Sequence, residues 1–527
     1  MAVSAPDARS LLMLAFDGLE VPPWFATRLR DAPVAGITLF RYLNVDAPGQ
    51  VRELTASVQR AAAERPGSDG LPILVAADHE GGQMLALGAG ATPFAGNMAL
   101  GAAGDEALAE RVGRAMGLEA AAMGVNVVYA PVCDLATNPR NPGIGIRSFG
   151  DEPIAAAKLV AAVVRGLRSS GVAACAKHYP GLGEAAVDSH HVLPIVNHDR
   201  HRLDSVELVP FRTALAAGAE LVMSAHVAIP AITGDPALPA TLSPAVLAGL
   251  LRADLGPRGL AISDALDMAA LRPGADGLPD AVAGLRAGLD LLLLGPQQAA
   301  GGAIEAAVVR GTSDGALDAG IAASSARVDA LRRRVAGIRQ PALDVVGSRE
   351  HRALARELAE ASVTFVRDDA GLLPIRLASD ARLGALMPRP RDLTPADTSS
   401  AVEPGLAAAL RRHHDRVDEV IAPNAPEPGE IAGFRDWAAG CDLVVVGTIA
   451  ASLEPAQAAL VDTILATGVP VVTVALRTPY DLAAYPSAKV HAATYGILQP
   501  SLDALADALF GEIPFRGRLP VAVAAAA

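Results

Sequence analysis

The sequence predicts an α/β protein of two domains, an N-terminal TIM-type (β/α)8-like barrel over residues 1–340 and a C-terminal α/β three-layer sandwich over residues 349–527. Three observations carry this. A chain of 527 residues accommodates two or more domains. Its first part repeats one theme about eight times, a short apolar run followed by a stretch with helical periodicity. The apolar runs do not alternate with polar residues, as expected for strands buried on both faces of a parallel sheet.

The runs fall at 11–16, 34–40, 71–78, 125–134, 172–179, 221–227, 260–266 and 289–295. Helix candidates lie between them at 50–64, 106–123, 154–170, 208–217 and 244–254. An open, doubly wound sheet would show the same alternation. The polar residues favour the barrel: Asp78, Asp134, His178, His226 and Asp264 all fall at or near the C-terminal ends of the runs. That end is the catalytic face of a TIM barrel, and charges are otherwise costly to bury. A helical stretch at 318–338, with Arg332, Arg333 and Arg334, reads as a solvated face and domain connector. The second domain opens with a helix at 353–361 and a strand at 363–367. Further runs follow at 383–387, 417–421, 443–447, 469–476 and 490–494, separated by helices at 407–412, 454–467 and 501–510. The segment 388–403, rich in Pro, Asp, Ser and Thr, reads as a surface loop. No internal repeat is present, and no low-complexity tail beyond the terminal alanines.

Composition narrows the function classes. Hydrophobic residues make up 51 % of the chain and aromatics only 3 %, so Ala, Val, Leu and Gly must fill the core. The formal net charge of −13 argues against a nucleic-acid or anionic-membrane partner. The first apolar run is too short for a signal core or a membrane span and has no basic region before it, which suggests a cytoplasmic protein. Cys133, Cys175 and Cys441 are widely spaced and form no zinc or disulfide framework. The His and Asp residues lack a close-spaced metal-ligand motif, so no metal or other cofactor is expected.

Chemistry concentrates at 177–190, KHYPGLGEAAVDSH. Lys177 and His178 end a buried strand; Pro180, Gly181 and Gly183 open a loop; Asp188 and His190 ride on it. A histidine can give and take a proton near neutrality, and a carboxylate two residues away can fix its tautomer. Gly181 and Gly183 suggest a mobile loop that brings His190 into place with substrate. Asp264, in Ser263-Asp-Ala-Leu-Asp-Met268, is either a carboxylate for chemistry at a strand end or a helix N-cap. Asp78 and the Lys177–His178 pair suit charged hydrogen bonds to a polar ligand. Asp78 could instead cap a turn, and Arg147 could pair with a buried carboxylate such as Asp134.

The 177–190 stretch resembles the signature of the β-N-acetylglucosaminidases of glycoside hydrolase family 3, Lys-His-aromatic or Ile-Pro-Gly followed by Asp-Ser/Thr-His. The segment 363–374, VTFVRDDAGLLP, resembles the entry to that family's C-terminal sandwich, and 509–521, LFGEIPFRGRLPV, its closing segment. The resemblance implies a retaining exo-β-N-acetylglucosaminidase that removes non-reducing terminal GlcNAc from cell-wall or chitin-derived fragments. By it, Asp264 is the nucleophile, His190 the acid/base and Asp188 its orienting partner. Asp78, in Asp-His-Glu-Gly-Gly, and Arg147, in Arg-Ser-Phe, are sugar contacts beside Lys177 and His178. His191 is a bystander, Asp267 a residue of a helix's first turn, and His226 a structural residue at the pocket floor. The chain departs from the peptidoglycan-recycling members at Gln83 and Ala86, where they carry arginines, and at Glu184–Ala185, where Asp-Thr is usual. A phosphorylase or β-glucosidase of the same family is an alternative output, and a catalytically inactive sugar-binding protein an alternative class. The expected partner is a small GlcNAc-containing glycoside, and the expected state a monomer or homodimer. The sequence assigns no role to the second domain.

Overall fold

Eight short parallel strands close on one another around an apolar centre. The computed structural model of the protein describes residues 7–256, 259–271, 281–295 and 297–523; the terminal alanines lie outside these. The strands are β1 (Leu12–Leu14), β2 (Gly36–Leu39), β3 (Leu74–Ala77), β4 (Val127–Val128), β5 (Ala173–Tyr179), β6 (Leu221–Ser224), β7 (Leu260–Ser263) and β8 (Leu292–Leu293). Each pairs in parallel with the next in sequence from β1 to β7, and β8 pairs with β1. The Ile262–Leu291 bridge joins β7 to the approach of β8 and completes the ring. This is the barrel the sequence predicts, with each strand shorter than its apolar run. At β6 and β8 the run outlasts the ladder because the next residues, Ala225–Val227 and Leu294–Gly295, stay buried as they turn into the loops of the open face.

Helices surround the ring. The closest pair, Glu106–Ala122 and Pro153–Ser169, meets through glycines: a Cβ at Gly166 would lie 2.2 Å from the Glu110 carbonyl oxygen. Such contacts are how a chain with few aromatics reaches interior packing density. The helix Asp318–Val335 belongs to this layer. Arg332 donates to Asp69 and to the carbonyls of Leu71 and Pro72, and Arg334 donates to the Gly171 carbonyl, so these arginines tie the helix to the barrel rather than forming only a solvated face.

After a linking helix, Arg349–Ser362, a six-stranded sheet follows: β9 (Thr364–Asp368), β10 (Leu383–Pro388), β11 (Val417–Ala422), β12 (Leu443–Thr448), β13 (Val471–Ala475) and β14 (Val490–Ala493). Its order is β9-β14-β13-β12-β10-β11, parallel except for the edge strand β9. Alternate residues of β12 face opposite layers. Val444 and Val446 pack in the core that holds Leu460 and Ile464, whereas Leu443 and Val445 pack with Leu406 and Leu502. The helix Pro428–Ala438, absent from the sequence prediction, lies on the first of these sides against Pro455–Leu465.

The two domains are fastened at several points. His351 of the linking helix meets Glu119 of the barrel at 2.7 Å. The last described residues return to the barrel, where Asp151 donates from its amide to the Pro520 carbonyl. The segment 388–403 is only in part the surface loop its composition suggests: Arg391, Pro395 and Ser400 are exposed, whereas Thr394, Asp397, Thr398 and Ser399 are buried against the barrel mouth. Asp397 accepts the amides of Leu393 and Ser399, so its polar side chains satisfy the segment's own backbone instead of facing water. All three cysteines are free and buried. Among the described residues, no helix is long and apolar enough to cross a membrane.

Candidate active site

A cleft of about 360 Å³ opens at the C-terminal end of the barrel strands, within the size range of small-ligand sites. Six of the seven residues singled out from the sequence line it: Asp78, Arg147, Lys177, His178, His190 and Asp264. The seventh, Asp188, lies beside His190.

One wall is a chain of charges after β3 and at the end of β5. Asp78 follows β3 directly, and Glu80 lies in a tight hairpin, His79–Gly81 with Met84–Leu85. Gly81 and Gly82 hold φ of +88° and +62°, and a Cβ on Gly82 would meet the Gly96 Cα at 2.8 Å, so the Gly-Gly pair is needed to turn the hairpin here. Lys177 Nζ lies 2.5 Å from Asp78 and 2.6 Å from Glu80. Arg147 binds Glu80 through two bonds of 2.9 Å, so its carboxylate partner is Glu80 and not Asp134. Asp134 instead accepts from His178 Nδ1 at 2.7 Å and from the amides of His178 and Leu182. Consecutive residues of a strand normally face opposite sides. The register shift between Lys177 and Tyr179 in the β5–β6 ladder lets both Lys177 and His178 reach the cleft.

The charges set one another's ionisation. Burial pushes the Glu80 carboxyl up, but Arg147 and Lys177 outweigh it and hold it down at about 2. Burial disfavours the Lys177 ammonium, and Asp78 and Glu80 more than restore it, so its pKa is raised. The wall therefore presents fixed charges with their hydrogen-bonding directions already set.

Across the barrel, Asp264 follows β7, four strands round the ring from Asp78. Among the described residues it caps no helix: Oδ1 accepts the next amide, Ala265, and the chain runs through a turn into the 3-10 turn Ala269–Leu271. Asp267 likewise sits in that turn and lines the cleft. Any helix within 272–280 lies outside the described residues. Burial raises the Asp264 carboxyl, but the neighbouring His178, His226 and His190 and the Ala265 amide bring it below the ordinary carboxylate value. His226 does not line the cleft. Its Nε2 donates to the Ala265 carbonyl at 3.0 Å and its Nδ1 meets Thr241 at 2.8 Å, which fixes the turn that carries Asp264.

His190 comes from the loop after β5. Its Nδ1 lies 2.7 Å from Asp188 Oδ1, which also accepts the His190 amide at 2.9 Å. A carboxylate accepts, so the hydrogen sits on Nδ1 and Nε2 is left for the cleft. His190 holds Asp188 below its usual range against the effect of burial. Gly181 and Gly183 are closely packed. A Cβ on Gly183 would sit 1.7 Å from the Leu135 carbonyl oxygen, and one on Gly181 3.1 Å from Glu207.

Sequence reasoning passed over several residues. Glu80 was visible as the carboxylate of Asp-His-Glu-Gly-Gly. The apolar lining of Phe40, Met84, Met223 and Met268 carries no local signal, since such residues read as core. Pro395 and Ala396 of the second domain also line the cleft.

With this geometry in view, known proteins give consistent matches. Residues 23–337 match the model of the glycosyl hydrolase family 3 N-terminal domain. Over 95 % of its length the chain is 30 % identical to β-hexosaminidase A of Pseudoalteromonas piscicida, covering 91 % of that protein. A β-hexosaminidase of Stenotrophomonas maltophilia is 38 % identical over 54 % of this chain and 83 % of its own. Among solved structures, a glycoside hydrolase family 3 β-N-acetylglucosaminidase from Paenibacillus sp. superposes with a TM-score of 0.92 at 35 % identity, covering 99 % of both chains.

Proposed function

Since this chain belongs to glycoside hydrolase family 3, we propose that it is a retaining exo-β-N-acetylglucosaminidase, with Asp264 as nucleophile and His190 as acid/base. The observation that carries the reading is the shared cleft: a carboxylate held in its ionised form and an imidazole held by Asp188 both border it. In the first step Asp264 forms a bond to the anomeric carbon while the glycosidic bond breaks, and His190 gives its Nε2 proton to the leaving oxygen. In the second, His190 takes a proton from water, the oxygen attacks the anomeric carbon and Asp264 leaves. Asp188 fixes the tautomer and steadies the imidazolium. Asp78, Lys177, His178 and Arg147 hold the sugar hydroxyls through charged hydrogen bonds. The Pseudoalteromonas, Stenotrophomonas and Paenibacillus relatives, named for β-hexosaminidase or β-N-acetylglucosaminidase activity, support GlcNAc as the sugar. Cell-wall or chitin-derived fragments in the cytoplasm are the proposed substrates, with barrel chemistry in residues 1–340 and the sandwich in residues 349–527.

The test is hydrolysis of a chromogenic β-GlcNAc glycoside beside the β-glucoside, each with and without phosphate, and proton NMR of the first-formed anomer. The reading expects turnover of the GlcNAc substrate, β-GlcNAc as first product, no activity in Asp264→Ala and little change with phosphate. Formation of GlcNAc 1-phosphate, or an α first product, would overturn it.

A further inference from the structure

Among the described residues, the second domain reaches the cleft through one short segment, and that segment is bolted down. Pro395 and Ala396 line the cleft with Asp78 and Met84. Behind them, Gln83 of the barrel hairpin accepts a hydrogen bond from Arg477, which follows β13, and Arg477 also donates to Asp397 at 2.8 Å. Gln83 Nε2 donates to the Ala396 carbonyl at 3.4 Å. The Gln83 carbonyl accepts both the amide and the hydroxyl of Thr398, at 2.8 and 2.9 Å, and Leu85 donates its amide to the same hydroxyl at 3.2 Å. Gln83, Arg477 and Asp397 are all buried. A buried guanidinium shared between one carboxylate and one amide is an expensive arrangement unless every partner is present. It fixes where Pro395 and Ala396 stand.

Their position has a direction. The hairpin carrying Gln83 and Met84 continues from Asp78 and Glu80, after β3, while Asp264 follows β7 on the opposite side of the ring. A sugar whose anomeric carbon faces Asp264 turns its far edge, with the C3 and C4 hydroxyls, toward Asp78, Met84 and the second-domain segment. We infer that Pro395 and Ala396 are the end wall of the terminal-sugar site, so that the second domain, latched by Gln83, Arg477 and Asp397, restricts the enzyme to unsubstituted non-reducing ends. Gln83 and Arg477 are positioning residues for that wall. The inference rests on the glycosidase reading above and gives Gln83 a role specific to a chain with this second domain.

Ala396→Phe, Gln83→Ala and Gln83→Glu in the full chain test it, with a chromogenic β-GlcNAc glycoside and its 4-O-methyl derivative as substrates. In Ala396→Phe, KM for the unsubstituted glycoside rises about tenfold with kcat within about threefold, because uniform binding is lost. In Gln83→Ala, discrimination against the 4-O-methyl substrate falls by about tenfold or more, one decade in relative affinity. Gln83→Glu, which keeps an acceptor for Arg477, restores it; a merely structural role would not show this pattern at unchanged melting temperature. Folded, active variants with wild-type KM and wild-type discrimination would overturn the inference while leaving the glycosidase reading intact. If wild type cleaves neither substrate, that reading fails first, and saturation-transfer NMR with GlcNAc then decides the wall. Binding lost in Ala396→Phe supports it; binding unchanged, or none in wild type, overturns it.

Discussion

His190 Nδ1 lies 2.7 Å from Asp188 Oδ1, and the same oxygen accepts the His190 amide. The two residues are thus locked by a ring of two hydrogen bonds within three residues of chain, and the imidazole cannot turn its Nδ1 hydrogen toward the cleft. His190→Ala is expected to lower kcat by about 10²–10⁴-fold, the usual worth of a positioned acid/base. Asp188→Asn keeps the shape but no longer enforces the tautomer, and is expected to lose about 10²-fold or more. A glycoside with an activated phenolate leaving group, which needs no proton, should recover most of the first-step rate in His190→Ala; pre-steady-state release of phenolate reads this directly.

Asp264 must be ionised to attack. Its folded-state carboxyl lies below the ordinary value of 3.8. The acid limb that it sets in kcat/KM therefore falls below about pH 4, the free-carboxyl range. His178 is the foremost of the groups that oppose burial there. His178→Gln is expected to move the limb upward, as a pH profile on the chromogenic GlcNAc substrate would record. A limb unchanged in the variant would exclude this electrostatic role for His178.

Glu80 links stability to pH. Its folded carboxyl stands at about 2 against an ordinary 4.5, so folding favours the ionised form. That stabilisation, on the order of 3 kcal/mol, is fully present above the unfolded carboxyl's value and is lost as pH falls toward about 2. Glu80→Ala leaves two buried cations short of a partner and is expected to cost about 3–5 kcal/mol at neutral pH. Urea unfolding across pH should show wild type and variant converging as pH falls below about 3.

Gly183 has no room for a side chain, with a Cβ placed 1.7 Å from the Leu135 carbonyl oxygen. Gly183→Ala is expected to cost about 1–3 kcal/mol by overpacking and to displace the loop that carries His190. The expected kinetic result is a fall in kcat larger than any change in KM. A fully active, fully stable variant would show that the loop tolerates displacement.

The barrel and its site were legible to different depths. Unalternated apolar runs announced the strands, and charged residues breaking those runs at Asp78, Lys177 and Asp264 announced the open end. Glu80 stood in a motif already noticed, yet its pairing with Arg147 depends on a hairpin turned by Gly81 and Gly82, which sequence spacing does not place. The glycines after His178 suggested mobility because a glycine's freedom is visible in sequence, whereas the Leu135 and Glu207 atoms that fill the space around them are not. The partial burial of the segment 388–403 has a related cause. Pro, Asp, Ser and Thr satisfy a loop's backbone equally well in water or against a protein surface, and only Gln83 and Arg477, distant in sequence, decide between the two.

By itself, then, the sequence determined the alternation of strands and helices in the barrel, the two-domain layout and the identities of the groups at the strand ends, because periodicity and local residue type are properties of neighbouring positions. The tertiary structure decided which carboxylate pairs with which cation, that Asp264 stands opposite Asp78 across the ring, and that the second domain forms part of the cleft wall. Those are relations between positions up to about 400 residues apart, such as Gln83 with Arg477. They are fixed by barrel closure and burial, which leave each charge only the partners that the packed interior brings within reach.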